Sequence, residues 1–233
     1  MARITTVGEL AASIAHEVNQ PLAAVVANAD ACVSWLSLQI PDLAEAQSAA
    51  LRAVEGATRA SEVIARIRSL INKGVPQRSE VDVNRIIEET VALTREQAER
   101  NNVSFSLLLD ATIPRIAGDR IQLQQVILNL IVNAIEAMAS VHDRERKLEI
   151  QSKVEPMSGI CISVQDAGVG ISQESLPRLF EPFFTTRAQG IGMGLAISHS
   201  IVEAHGGRMW AESTLNEGTT FHFTLPDHQH LEP

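Results

Sequence analysis

Apolar or small residues recur at Val7, Leu10, Ile14, Val18, Leu22, Val25, Ala29, Cys32 and Leu36, in steps of three and four. Such steps mark one buried face of a helix, and they predict a helix over residues 5–38. Leu38-Gln39-Ile40-Pro41-Asp42 interrupts the pattern, with Pro41 placed to open the next helix. The period then resumes through Leu43, Ala46, Ala50, Val54, Ala57, Ser61, Ile64, Ile67 and Ile71. Two helices of about thirty residues joined by a short turn make an antiparallel hairpin. A lone hairpin leaves each stripe half covered. Two hairpins packed as a homodimeric four-helix bundle would cover both; packing against the chain's own C-terminal part is the alternative.

Asn72-Lys73-Gly74-Val75-Pro76-Gln77-Arg78-Ser79 has no period and reads as a linker. Beyond it helix and strand patterns alternate unevenly. Asp82 is placed to cap a helix reaching about Asn101, a strand follows over Val103–Leu109, and a long helix covers Arg120–Met138. Strands are expected at Leu148–Val154 and Ile160–Gln165, a helix at Met193–His205, and strands at Arg208–Ser213 and Thr219–Leu225. The class is α+β, one sheet covered by helices. The expected organisation is a helical hairpin over 1–74, a linker over 75–80, an α/β sandwich over 81–226 and a disordered tail over 227–233.

Composition narrows the functional classes. Hydrophobic content of 45% in 233 residues supports proper cores, and 3% aromatic with no Tyr makes them aliphatic. A net charge of −9 argues against a nucleic-acid binder, which needs a basic face to neutralise phosphates. Cys32 and Cys161 lie on separate patterns without a motif, which suits a reducing, cytoplasmic setting. No signal peptide is expected, and no run approaches the roughly 18 apolar residues that would cross a bilayer.

His16 lies two residues from both Ile14 and Val18, so about 100° per residue turns it away from the apolar stripe. An exposed neutral imidazole is a usable nucleophile, and Glu17 beside it is a candidate base. Pro21 leaves the carbonyl of Glu17 without its helical donor and predicts a bend there. In the apolar helix over 120–138, Gln125, Asn129 and Asn133 fall at i, i+4 and i+8, with Glu136 a further three along. Amide oxygens and a carboxylate suit Mg²⁺ around a phosphate; equally, such amides can tie the helix to neighbouring backbone. Asp166-Ala167-Gly168-Val169-Gly170 ends a strand in a carboxylate and a glycine turn, suited to a flat ligand with an exocyclic amine. Gly190, Gly192 and Gly194 alternate just before a helix, where backbone N–H groups can hold an anion.

The order of these segments resembles that of sensor histidine kinases of two-component systems. Ala15-His16-Glu17-Val18-Asn19-Gln20-Pro21-Leu22 is similar to the phospho-acceptor box, and Asn129-Leu130-Ile131-Val132-Asn133-Ala134 to the N box. Asp166–Gly170 resembles the first glycine box, Phe180-Glu181-Pro182-Phe183-Phe184 the F box, and Gly190-Ile191-Gly192-Met193-Gly194-Leu195 the second glycine box. Gly218-Thr219-Thr220-Phe221 resembles the closing box. The Glu-Val-Asn-Gln-Pro and Asn-Ala-Ile-Glu-Ala-Met variants are similar to soluble, PAS-linked kinases of the nitrogen-fixation oxygen-sensor type.

The resemblance implies a dimerisation and phosphotransfer hairpin over 1–74 and, over 81–226, the ATP-binding fold shared with gyrase and Hsp90. It makes His16 the phospho-acceptor with Glu17 its base, Asn133 the Mg²⁺ ligand with Asn129 nearby, and Asp166 the adenine contact. Gly168 and Gly170 would shape the base pocket. Gly190, Gly192 and Gly194, with Leu195 closing the box, would form a lid over the phosphates, and Arg187 would face a phosphate. The implied cofactors are ATP and Mg²⁺. The implied partners are a second copy, the receiver domain of a response regulator, and an upstream sensor or separate input protein. The ATPase branches carry a Glu where this chain has Asn129, which cannot act as a base. That position favours ATP held for His16 over ATP hydrolysed by water.

Overall fold

The chain divides where the helical period ends, into one unit over residues 1–73 and another over 74–233. The computed structural model describes residues 22–71, 78–155, 159–186 and 192–227, with the side chains of residues 58, 59 and 61–71 outside that description.

In the first unit α1, described over Leu22–Leu36, turns into α2 (Leu43–Ile71). The Asp42 side chain accepts from the Glu45 backbone N–H at 3.1 Å and so caps α2. Across the hairpin the Arg52 Nε donates to Asn28 Oδ1 at 2.9 Å. Among the described side chains, the buried apolar positions are the alanines Ala46, Ala49 and Ala60, while Val25, Ala31 and Cys32 are half-buried. Over the described side chains, the single stripe expected on each helix is therefore split between two faces. Leu22, Ala29 and Leu36 lie exposed with Val26 and Val33, in steps of four and three, and Leu43, Leu51 and Val54 are exposed on α2. Small residues line the seam because they let two helices approach closely. Among the described side chains, Leu22, Leu36, Leu43 and Leu51 are left on the outside.

The second unit is a two-layer sandwich. Its five-stranded sheet has the order β2-β4-β5-β7-β6, from β2 (Val103–Leu109), β4 (Arg146–Glu155), β5 (Gly159–Asp166), β6 (Met209–Thr214) and β7 (Gly218–Leu225). Only β2 and β4 are parallel, joined by a crossover that contains α4 (Arg120–Met138); the other neighbours are antiparallel. α3 (Val83–Arg100), α4 and α5 (Gly194–Ala204) cover one face. Two short strands, β1 (Ser79–Val81) and β3 (Ile116–Gly118), form a separate ribbon. Three-residue strands carry too little alternation to be read from sequence, and β1 begins inside the stretch read as linker.

The core lies between the layers. Leu148, Ile150, Ile160, Ile162, Val164, Phe223 and Leu225 of the sheet meet Ile86, Ile87, Leu123, Ile127, Leu130, Ile131 and Ile197 of the helices, all essentially inaccessible. Each such side chain contributes about 1.5–3 kcal/mol on burial. α4 is apolar on nearly every side because it touches α3, α5 and the sheet at once. By length and composition α4 could cross a bilayer, yet Leu123, Val126, Ile127, Leu130, Ile131, Ala134, Ile135 and Met138 are spent on this core. Asp119 fixes its start, accepting from the Ile121 and Gln122 N–H groups at 3.0 and 3.2 Å.

The opposite sheet face carries polar side chains such as Glu149, Gln151, Gln165 and Glu212. Among them, burial raises the pKa of the Cys161 thiol and lowers that of His222.

Candidate functional site

The fold converges on one side of α4. At its C-terminal end Ala137 receives the turn that follows β5: the Val169 N–H donates to Ala137 O at 3.2 Å. Asp166 closes β5 with its carboxylate buried, and its Oδ1 accepts from the Gly168 N–H at 2.8 Å. A carboxylate bonding backbone two residues on is the geometry that nucleates a tight turn. Gly168 has no room for a side chain, since a Cβ would stand 2.5 Å from Asp166 Oδ1 and 2.9 Å from both Cβ and O of Ala137. Gly170 adopts φ +70°, which favours glycine.

Two turns earlier on the same face, Asn129 Nδ2 donates to Gly194 O and to Ser198 Oγ, each at 3.3 Å. Asn129 thus pins α4 to the first turn of α5. Asn133 lies between the two attachments and is half-buried. Residues 129, 133 and 137 recur every four, so Asp166 with its glycine turn and the start of α5 are placed about 12 Å apart along one helix face.

The approach to α5 is shaped by a second contact between distant segments. The Phe183 N–H donates to Gly192 O at 3.0 Å, and both residues have positive φ, 67° and 69°. A Cβ on Gly192 would stand 2.5 Å from the Phe183 carbonyl carbon. Phe180 rests on His199 of α5 with ring centroids 4.9 Å apart, and Arg178 lies 4.5 Å over the Phe184 ring. The Phe180–Phe184 segment therefore anchors the chain on both sides of α5's entry. Gly194 is different, because a Cβ there would meet nothing nearer than Asn129 Cγ at 3.9 Å.

Of the residues singled out in the sequence, the second unit brings together Asn129, Asn133, Asp166, Gly168, Gly170, Gly192, Gly194 and the half-buried Leu195. His16, Glu17, Arg187 and Gly190 lie outside the described residues. Three further residues support the site without belonging to any motif. Arg144 donates from Nε to Ala167 O at 3.1 Å and from Nη2 to Gly168 O at 2.7 Å, bracing the turn after Asp166. Ser213 Oγ accepts from the Ile171 N–H at 2.8 Å and holds the other end of that turn. His205, buried at the end of α5, accepts at Nε2 from the Asp119 N–H at 3.0 Å and donates from Nδ1 to Ile201 O at 2.7 Å. It locks the far ends of α4 and α5. None of the three has a spacing that sequence reading could exploit.

Residues 118–229 match the family model of histidine kinase-, DNA gyrase B- and HSP90-like ATPases. The catalytic domain of histidine kinase ThkA, a solved structure, is 35% identical; the match covers 96% of that domain and 65% of this chain, with a TM-score of 0.57. The chain belongs to the sensor histidine kinases. Its second unit is the family's GHKL ATP-binding domain. Sensor protein FixL of Bradyrhizobium diazoefficiens is 40% identical over 227 residues, 97% of this chain. The match spans 45% of FixL, so the chain covers less than half the length of that relative. ThkA has also been solved in complex with response regulator protein TrrA; that kinase is 25% identical, with a TM-score of 0.75, over 99% of this chain and 65% of its own. Against this kinase frame, the α4 face that joins Asp166 to Gly194 is the candidate nucleotide site.

Proposed function

We propose that this sensor histidine kinase chain binds ATP along α4, transfers the γ-phosphate to His16, and passes it to an aspartate of a response-regulator receiver domain. The observation that carries the reading is the single α4 face on which Ala137 holds the Asp166–Gly168 turn and Asn129 holds the start of α5. The buried carboxylate of Asp166 would accept from the adenine amine, with Gly168 and Gly170 admitting the flat base. Gly192, Gly194 and Leu195, with Arg187 and Gly190, would border the phosphates at the α5 N-terminus, where backbone N–H groups favour anions.

Mg²⁺ fits this donor set. Among the described residues no group of three or more His, Cys, Asp or Glu gathers. A hard cation held mainly by nucleotide phosphates and waters needs only one or two protein oxygens, such as the amide of Asn133. When bound, it would neutralise charge on the phosphates. A ring nitrogen of His16 would attack in line as the bond to the departing ADP oxygen breaks, and Glu17 would take or orient the proton on the other nitrogen. A water-directed ATPase is disfavoured by Asn129, whose amide is not a base and whose Nδ2 is committed to α5.

The exposed stripe Leu22, Val26, Ala29, Val33 and Leu36 supports pairing of two hairpins as a four-helix bundle. Residues 1–74 would then be the dimerisation and phosphotransfer domain and 81–226 the catalytic domain, with sensing supplied by a further domain or protein. Two unpaired cysteines suit the cytoplasm. Incubation with γ-labelled ATP and Mg²⁺ tests the activity. Acid-labile, base-stable label that disappears in His16→Gln is the expected result; label that survives the substitution would refute the assignment.

A further inference from the structure

Asp166, Thr219 and Ser213 form one row across the sheet. Asp166 pairs with Thr219 between β5 and β7, and Thr219 pairs with Ser213 between β7 and β6. Directly paired residues on neighbouring strands share a face. Asp166 and Thr219 are both buried at the end of β5 where the base would sit.

The hydroxyl of Ser213 makes three contacts. It meets the Ile171 N–H at 2.8 Å, Gly218 O at 2.8 Å and Thr219 Oγ1 at 2.9 Å. A serine hydroxyl has one proton and two lone pairs. The Ile171 N–H can only donate, which takes one lone pair. The Gly218 carbonyl can only accept, which takes the proton. The remaining lone pair can be satisfied only if Thr219 donates its own proton to Ser213. Thr219 Oγ1 is thereby left as an acceptor beside the acceptor carboxylate of Asp166.

The geometry points to Ser213 as a positioning residue for base selectivity: by taking the Thr219 proton, it makes the end of the pocket accept-only and selects a 6-amino purine over a 6-oxo purine. This rests on the ATP-binding reading above and goes beyond it, because Ser213 acts through Thr219 and needs no contact with the nucleotide. Buried polar groups left facing a like partner reject a ligand far more strongly than a shape mismatch does.

The test is equilibrium binding of ATP and of inosine triphosphate, which shares the sugar and phosphates, to the full chain and its variants. The unmodified chain should prefer ATP. In Ser213→Ala the Thr219 hydroxyl is free to turn and donate to a 6-oxo group. Inosine triphosphate should then bind more tightly and the preference for ATP fall by about tenfold, the scale of one well-placed hydrogen bond. Ser213→Thr, which keeps the hydroxyl, should restore the preference. Equal weakening of both nucleotides in Ser213→Ala would reduce Ser213 to a structural brace and overturn the proposal. Failure of the unmodified chain to bind ATP would overturn the nucleotide reading itself, and this inference with it.

Discussion

Gly168→Ala is the sharpest test of the base-loop geometry. The added methyl would stand 2.5 Å from Asp166 Oδ1, an atom already fixed by its bond to the Gly168 N–H, and 2.9 Å from both Cβ and O of Ala137. Oδ1 ends a short side chain held by that bond, and Ala137 presents its Cβ and a backbone carbonyl, so the turn itself must move away from α4. Overpacking of this kind costs about 1–3 kcal/mol. In a unit of this size each kcal/mol lowers the melting temperature by about 2–4 °C. Moving the turn also displaces the Asp166 carboxylate, and losing one hydrogen bond to a charged group, about 1.5–3 kcal/mol, weakens ATP binding by about ten- to a hundredfold. Scanning fluorimetry and calorimetric titration with ATP and Mg²⁺ read the two effects separately. Gly194→Ala is the matched comparison, because its methyl would meet Asn129 Cγ at 3.9 Å, ordinary contact. Its melting temperature should stay level or rise, since alanine suits a helix better than glycine. Gly168→Ala with unchanged stability and unchanged affinity would refute the reasoning.

Other consequences follow from the same contacts. Arg144→Met removes the donors to Ala167 O and Gly168 O; ATP affinity should fall by about tenfold in titration, with secondary structure by circular dichroism intact. Unchanged affinity would mean the turn holds without it. Burial lowers the folded pKa of His222, which is stacked on Trp210 with its Nε2 unpartnered. Below the unfolded value of about 6.5 the unfolded chain therefore binds the extra proton first, and stability is lost as pH falls through that window. Urea midpoints at pH 7.5 and 5.5 should drop further for the unmodified chain than for His222→Phe; equal drops would count against the burial argument. In the hairpin, Val26→Glu with Val33→Glu should shift the mass in light scattering from dimer toward monomer and leave ATP titration of the second unit unchanged. A dimer that persists would point to another interface.

The helices and long strands were legible because their periods run for many residues. α3, α4 and β2 lie over the ranges that the spacing predicts, and Asp82 caps α3, its side chain accepting from the Arg85 N–H. The glycine turns and the amide row were legible as motifs, though not the segments that each of them contacts. Asn129 is an example: its spacing permitted both a ligand role and a tie between helices, and its partners on α5 are residues 194 and 198, far along the chain.

By itself the sequence determined the class, the two-part organisation and the residue types at the ends of β5 and α5, since local periodicity, capping and glycine placement are properties of neighbours in the chain. Only the tertiary structure decided which apolar positions of the hairpin are covered, because small residues compete for the seam on packing, not on period. Tertiary structure alone also joined Ala137 to Val169, Phe183 to Gly192, and Ser213 to Ile171 and Thr219. A hydrogen bond between remote segments leaves no periodic trace. It depends on where the sheet and helices bring two backbones together, and there a single hydroxyl or guanidinium takes its role.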